Sequence, residues 1–147
     1  MPQVSVIIPT HNRARFLREA ISSVLNQTFQ DFEILVVDDA SDDNTREVVA
    51  GFEDKRIKYF RHDTNRGGSA ARNTGIRNSK CDYIAFLDDD DEWLPEKLAK
   101  QLELLLASDE HHVAADGCAE GAFDEKGLGE AVDVGDLFVC LVRELVN

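Results

Sequence analysis

The first hundred residues predict an α/β fold, with an open, mainly parallel sheet and helices on both of its faces. Three observations carry this. Apolar runs of strand length alternate four times with segments of helical period. The strand candidates are almost continuously apolar, as strands buried on both sides are. Each run also ends in a polar loop, two of them strongly acidic, at the edge where open parallel sheets bind ligands.

Val4 to Ile8 is a β-branched run closed by Pro9, and it predicts the first strand. Arg13 to Gln27 places Phe16, Leu17, Ala20, Ile21, Val24 and Leu25 at i, i+3, i+4 spacing, a helix with one apolar face. Phe32 to Val37 reads as the second strand and ends in Asp38-Asp39. Ser41-Asp42-Asp43-Asn44 then offers several N-cap side chains for a helix of about two turns through Phe52. Arg56 to Arg61 is the third strand and Gly68 to Asn78 the third helix. Tyr83 to Leu87 is the fourth strand, followed by Asp88 to Asp91. Pro95 sits in the first turn of the last helix, whose expected buried stripe is Leu98, Leu102, Leu105 and Leu106.

Composition narrows the function. The chain has 147 residues, with 16 basic against 29 acidic, for a net charge of −13. Such a balance excludes a broad electrostatic nucleic-acid binder and docking on an anionic membrane through charge. The apolar runs are too short for a membrane span, and no signal peptide is recognisable. Cys81, Cys118 and Cys140 are odd in number and lack CxxC spacing, so they read as free thiols in a reducing compartment. A cytoplasmic location is expected, peripheral to a membrane only through partners. The chain divides into residues 1–108, where the alternation holds, and 109–147, where it stops. That second segment carries ten acids against Lys126 and Arg143 and five of the nine glycines.

The chemistry should lie in the loops after each strand. Asp88-Asp89-Asp90-Asp91 puts four adjacent carboxylates at a strand end, where mutual repulsion favours a bound cation. A hard divalent ion held by one or two carboxylates and a diphosphate is one solution. A solvated acidic turn capping the helix at Pro95 is the other. Asp38-Asp39 could accept hydrogen bonds from a nucleobase or a ribose, or cap the next helix. Asn65 to Gly75 is a glycine-bearing helix entry with Arg66 and Arg72, both suited to phosphate. It lacks the Gly-Lys-Ser/Thr of a P-loop, and its small residues also suit close packing on a sheet. Trp93 is either core or a stacking wall. His11, His62, His111 and His112 show no metal-ligand spacing. Together the loops describe a nucleotide-diphosphate site with a cation.

Residues 3 to 106 resemble the nucleotide-binding half of the family 2 glycosyltransferases. The resemblance begins with Val4 to Arg13, where His11 stands at a position more usually Tyr. It continues through Ser22 to Thr28, Phe32 to Asp43, Asn65-Arg66-Gly67, Ala71 to Gly75 and Tyr83 to Asp91. Trp93, Pro95, Lys97 and Leu98 complete it. The resemblance implies a GT-A, Rossmann-like fold and a domain that binds a nucleotide-diphosphate sugar, here a UDP-sugar, for transfer to an acceptor hydroxyl on a glycan, lipid or other molecule.

By the same resemblance, Pro9, Thr10 and Asn12 line the nucleotide pocket, Asp39 bonds the base and Arg72 lies near the phosphates. Asp88 and Asp90 are the acids of the DXD motif. Asp90 would contact Mn²⁺ or Mg²⁺ directly, while Asp88 or Asp89 would reach the ribose or a metal-bound water. The family's general base matches nothing in residues 109–147. A catalytically silent nucleotide-sugar-binding module is therefore the alternative reading. Apolar faces and a sheet edge left open by a shortened chain predict a homodimer.

Overall fold

The computed structural model describes residues 2–107; the segment 109–147, Cys118, Cys140, His111 and His112 lie outside the described residues. Four strands alternate with four helices: β1 Val4–Thr10, α1 Ala14–Leu25, β2 Phe32–Asp38, α2 Thr45–Ala50, β3 Ile57–Arg61, α3 Gly68–Asn78, β4 Tyr83–Phe86 and α4 Lys97–Ala107. All strand pairs are parallel and the sheet order is β3-β2-β1-β4. This is the α/β architecture expected, with α3 on one face and α1, α2 and α4 on the other.

The two faces follow from strand alternation. Val4, Val6 and Ile8 of β1, with Ile34 and Val36 of β2, point towards Leu17, Ile21 and Val24 of α1, Val49 of α2 and Leu98 of α4. Ile7, Leu35, Val37 and Ile84 point the other way and meet Ala71 of α3. On that side α3 comes close enough that a Cβ at Gly75 would lie 2.4 Å from Ile7 Cγ2. Only a glycine allows this approach.

β1 and β2 run further than their apolar residues, while β4 stops at Phe86, one residue short of Leu87. β1 continues through Pro9 and Thr10, paired with Val37 and Asp38 of β2. Pro9 is tolerated in a central strand because of where its nitrogen points. The Ile7 carbonyl accepts from Leu87 N–H at 3.0 Å on the β4 side, so Pro9, two residues on, also faces β4. The β1–β4 register ends at Ile7↔Phe86, so no ladder bond is forfeited.

Two expectations need correction. Phe16 is 49% exposed, because the buried stripe of α1 is centred on Leu17, Ala20, Ile21 and Val24. Leu106 is 61% exposed rather than part of the α4 stripe, which Leu98 and Leu102 do line. The cap of α2 does come from the Ser41 to Asn44 segment, although Asn44 itself makes no side-chain cap bond. Asp43 serves instead: its Oδ1 accepts from Thr45 N–H at 3.1 Å and from the Thr45 hydroxyl, and its Oδ2 accepts from Ala14 N–H at 3.0 Å. One carboxylate thus closes the N-termini of α1 and α2. Burial opposes its charge, but these donors outweigh burial and hold the carboxyl below its ordinary value.

The entry to α4 is pinned to the end of α1. Buried Gln27 donates to the Leu94 carbonyl at 2.8 Å and accepts from Leu98 N–H at 3.0 Å. Ser23 Oγ accepts from Trp93 N–H at 3.1 Å, and Thr28 N–H donates to the Pro95 carbonyl at 2.7 Å. The chain between β4 and α4 is therefore fixed at its far end by α1. No helix among the described residues is long and apolar enough to cross a membrane.

Candidate nucleotide-sugar site

β1 and β4 are neighbours whose connections leave in opposite directions, α1 towards β2 on one face and α3 in from β3 on the other. This is the switch point of the sheet, and the crevice beyond its carboxyl ends is the expected ligand position. The loops after β1, β2 and β4 meet there.

After β1 the chain turns at Asn12, whose φ of 51° lies in the left-handed region that Asn tolerates. Its backbone N–H donates to Ser41 Oγ at 2.9 Å, and its side-chain oxygen accepts from Asp42 N–H at 2.7 Å. His11 Nδ1 donates to the Asp39 carbonyl at 2.7 Å. These bonds lock the loop after β1 onto the loop after β2. Pro9 is buried in β1 just before it.

The two acids ending β2 have different surroundings. Asp38 is enclosed by Tyr59 Oη, Ser41 N–H at 2.9 Å and the Arg61 guanidinium at 3.6 Å, so it braces its own turn against β3. Burial and the neighbouring Asp38 charge push the Tyr59 hydroxyl well above its ordinary pKa. Asp39 is buried too, and it reaches across to the glycine segment. Its Oδ1 accepts from His62 Nδ1 at 2.7 Å and Arg66 N–H at 2.8 Å, and its Oδ2 accepts from Gly67 N–H at 2.7 Å. Burial opposes the charge, yet these donors together hold the carboxyl below its usual range.

Nor are the four aspartates after β4 equivalent. Asp89 turns inward, 5% exposed, and accepts from the Thr10 hydroxyl at 2.8 Å and from Arg13 at 3.3 Å. Burial pushes its carboxyl upward against the pull of Thr10 and Arg13. Asp88 and Asp90 face outward, with side chains 36% and 48% exposed, and pair with Arg72 at 2.7 Å and Arg13 at 2.8 Å. Asp91 N–H donates to the Asp88 carbonyl at 3.1 Å, closing the turn.

The loop after β4 therefore gathers Thr10, Arg72, Asp88, Asp89 and Asp90 of the expected site, joined by Arg13. Asn12 and Asp39 form a second group, linked to the first by the Asp39 N–H to Thr10 carbonyl bond of 2.8 Å. Among the described residues no group of three or more His, Cys, Asp or Glu side chains could enclose a metal. Two outward carboxylates, Asp88 and Asp90, suit a hard cation that completes its shell with phosphate oxygens and water. The donor set fits Mn²⁺ or Mg²⁺ in that open manner.

Trp93 is core, 9% exposed, with Lys97 Nζ 4.3 Å from its ring centre. Burial lowers the Lys97 ammonium to about 8. Arg13 and His62 were not among the expected site residues. Arg13 had a signal, a cation just past β1 in a site with excess acid. His62 is the first residue after β3, a strand end, but no metal-ligand spacing marks it in the sequence.

The family model for Glycosyl transferase family 2 matches residues 5–128. An Escherichia coli relative, UDP-Glc:alpha-D-GlcNAc-diphosphoundecaprenol beta-1,3-glucosyltransferase WfgD, is 44% identical over 103 residues, covering 70% of this chain and 41% of its own. The crystal structure of S. aureus TarS 1-349 in complex with UDP-GlcNAc is similar with a TM-score of 0.68 and 29% identity, over 84% of this chain and 38% of that one. The mannosyltransferase PcManGT from Pyrobaculum calidifontis, in complex with GDP-Man and Mn²⁺, gives a TM-score of 0.69 and 28% identity over 76% of this chain and 34% of that one. The chain spans less than half the length of the curated relatives it matches. On the parallel sheet, the loops gathered at its switch point and the family match, this chain belongs to glycosyltransferase family 2.

Proposed function

We propose that the crevice at the carboxyl ends of β1, β2 and β4 binds a UDP-sugar together with Mn²⁺ or Mg²⁺, and that the sugar passes to an acceptor hydroxyl on a saccharide or lipid, on the cytoplasmic side of the cell. The observation that carries the reading is the pairing of two acidic groups at one switch point. Asp39 is held charged and buried on one side, and the outward Asp88 and Asp90 lie on the other, joined through Thr10.

In this reading Asp39 accepts the imide N–H of uracil. Three of the roughly four acceptor positions of a carboxylate are filled by His62, Arg66 and Gly67, which leaves one for the base. Pro9, Thr10 and Asn12 form the wall beside the base and ribose. Asp89 holds the acidic loop to β1 and presents its backbone towards the ribose. Arg72, on the second turn of α3, swings from Asp88 to the diphosphate. Asp90 and Asp88 hold the cation, which when bound supplies positive charge to the departing diphosphate. The TarS complex with UDP-GlcNAc and the E. coli relative's use of UDP-Glc support UDP as the carrier. The Mn²⁺ in the PcManGT complex supports a divalent ion.

Calorimetric titration of UDP into the chain, with and without Mn²⁺ and with GDP, ADP and TDP as controls, tests the reading. Metal-dependent binding of UDP is expected, weakened at least about tenfold in Asp90→Ala and in Asp39→Ala. A cooperatively folded sample that binds no nucleotide would sink the proposal and leave a silent scaffold.

A further inference from the structure

His62 is buried, 8% exposed, at the carboxyl end of β3, and both of its ring nitrogens are engaged. Nδ1 lies 2.7 Å from Asp39 Oδ1, and Nε2 lies 2.8 Å from Thr74 Oγ1. A carboxylate only accepts, so Nδ1 carries the proton, and in the neutral ring Nε2 accepts from the Thr74 hydroxyl. Thr74 is two residues beyond Arg72 on α3, and Arg72 reaches Asp88. The chain of contacts Asp39–His62–Thr74 thus spans the ends of β2 and β3 and the helix that carries the arginine.

We propose that His62 is a positioning residue of the donor site, orienting the Asp39 carboxylate for the nucleobase while Thr74 of α3 fixes the other side of its ring. This rests on the donor-site reading above. Of the three groups that donate to Asp39, the Arg66 and Gly67 amides come from one loop and approach the two oxygens separately. Among the described residues His62 is the one side-chain donor, and it approaches from just beyond β3. Without it Oδ1 keeps a single amide on the loop of Arg66, and the carboxylate plane can follow that loop rather than the sheet. Each ring nitrogen has a partner within 2.8 Å, so the ring is fixed between Asp39 and α3.

The two ends of the donor can be probed separately. UDP engages the base and phosphate ends; inorganic pyrophosphate engages only the latter. Both are titrated calorimetrically, with Mn²⁺ present, into the unsubstituted chain and into His62→Leu, His62→Asn and Thr74→Val, with a thermal melt of each variant. His62→Leu is expected to weaken UDP at least about tenfold while pyrophosphate stays within about twofold. His62→Asn, whose amide N–H stands near the Nδ1 position, should recover most of the loss. Thr74→Val should give a smaller loss, again selective for UDP.

Unchanged UDP affinity in folded His62→Leu, or an equal loss for both ligands, overturns the positioning role alone. Should His62→Leu fail to melt cooperatively, Thr74→Val decides: a UDP-selective loss supports the role and unchanged affinity overturns it. An unsubstituted chain that binds no UDP overturns the donor-site reading and this role with it.

Discussion

Asp38 and Asp39 are adjacent and chemically identical, yet one is tied to a brace of Tyr59, Arg61 and Ser41, and the other to the glycine segment. A sequence shows two carboxylates at a strand end and cannot divide these tasks, because the partners of each lie on β3 and beyond. The same holds for the four aspartates after β4, where only the fold turns Asp89 inward. Their pH responses differ accordingly. Asp39 and Asp43 have lowered values, so the stability they contribute is present above the ordinary aspartate range and is lost as pH falls through their folded values. Asp89 is raised by burial, so its contribution has the opposite sign: stability falls as pH rises from the ordinary aspartate range through its folded value. Asp89→Asn, which keeps an acceptor for Thr10, is expected to melt at pH 7 no lower than the unsubstituted protein; a fall of several degrees would count against this assignment. Asp43→Ala should cost about 1–2 kcal/mol through the two helix ends it closes, while Asp42→Ala, at an exposed position, should change denaturant stability by less than about 0.5 kcal/mol.

At the scale of the element, α3 was legible to its end residues, because Gly68 opens it and the glycine and alanine content marks close packing on a sheet. The faces of α1 and α4 were legible only in part. Phe16 and Leu106 belong to the expected apolar faces, but both are exposed. Gln27 was unreadable, since its partners Leu94 and Leu98 stand 67 and 71 residues away. Gly75→Ala tests how tightly α3 is seated. Its methyl would meet Ile7 Cγ2 at 2.4 Å, so a loss of about 1–3 kcal/mol in urea unfolding is expected, together with weaker UDP binding as Arg72 shifts. Gly51→Ala is the control: its nearest atoms are 3.5 Å away, and little change is expected.

The whole sheet explains why the site was legible at all. A parallel sheet binds beyond its carboxyl ends, so four strand ends single out four loops from the sequence alone. The strand order was not legible, and with it the choice of β1 and β4 as the meeting point. That order comes from β4 returning past β2 to pair with β1, a crossover that no local pattern records. If the crevice binds UDP and Mn²⁺, UDP at about a hundred times its dissociation constant should add about 2.7 kcal/mol to the stability of the Mn²⁺-loaded chain and raise its melting temperature, a shift reduced in Asp90→Ala. Among the described residues β3 and β4 each pair on one side only. We therefore propose self-association, and light scattering that returns a monomer mass at high concentration would refute it.

Pro9 gives the crevice an origin in the backbone itself. Two neighbouring strands zip together until a rung is missing, and on the β4 side of β1 the next rung after Ile7 has no hydrogen to offer. From there the strands are free to fork, β1 running on beside β2 while β4 peels away into its acidic turn. Asp89 ties that turn back to Thr10 across the gap, and the imino acid sets where the gap begins.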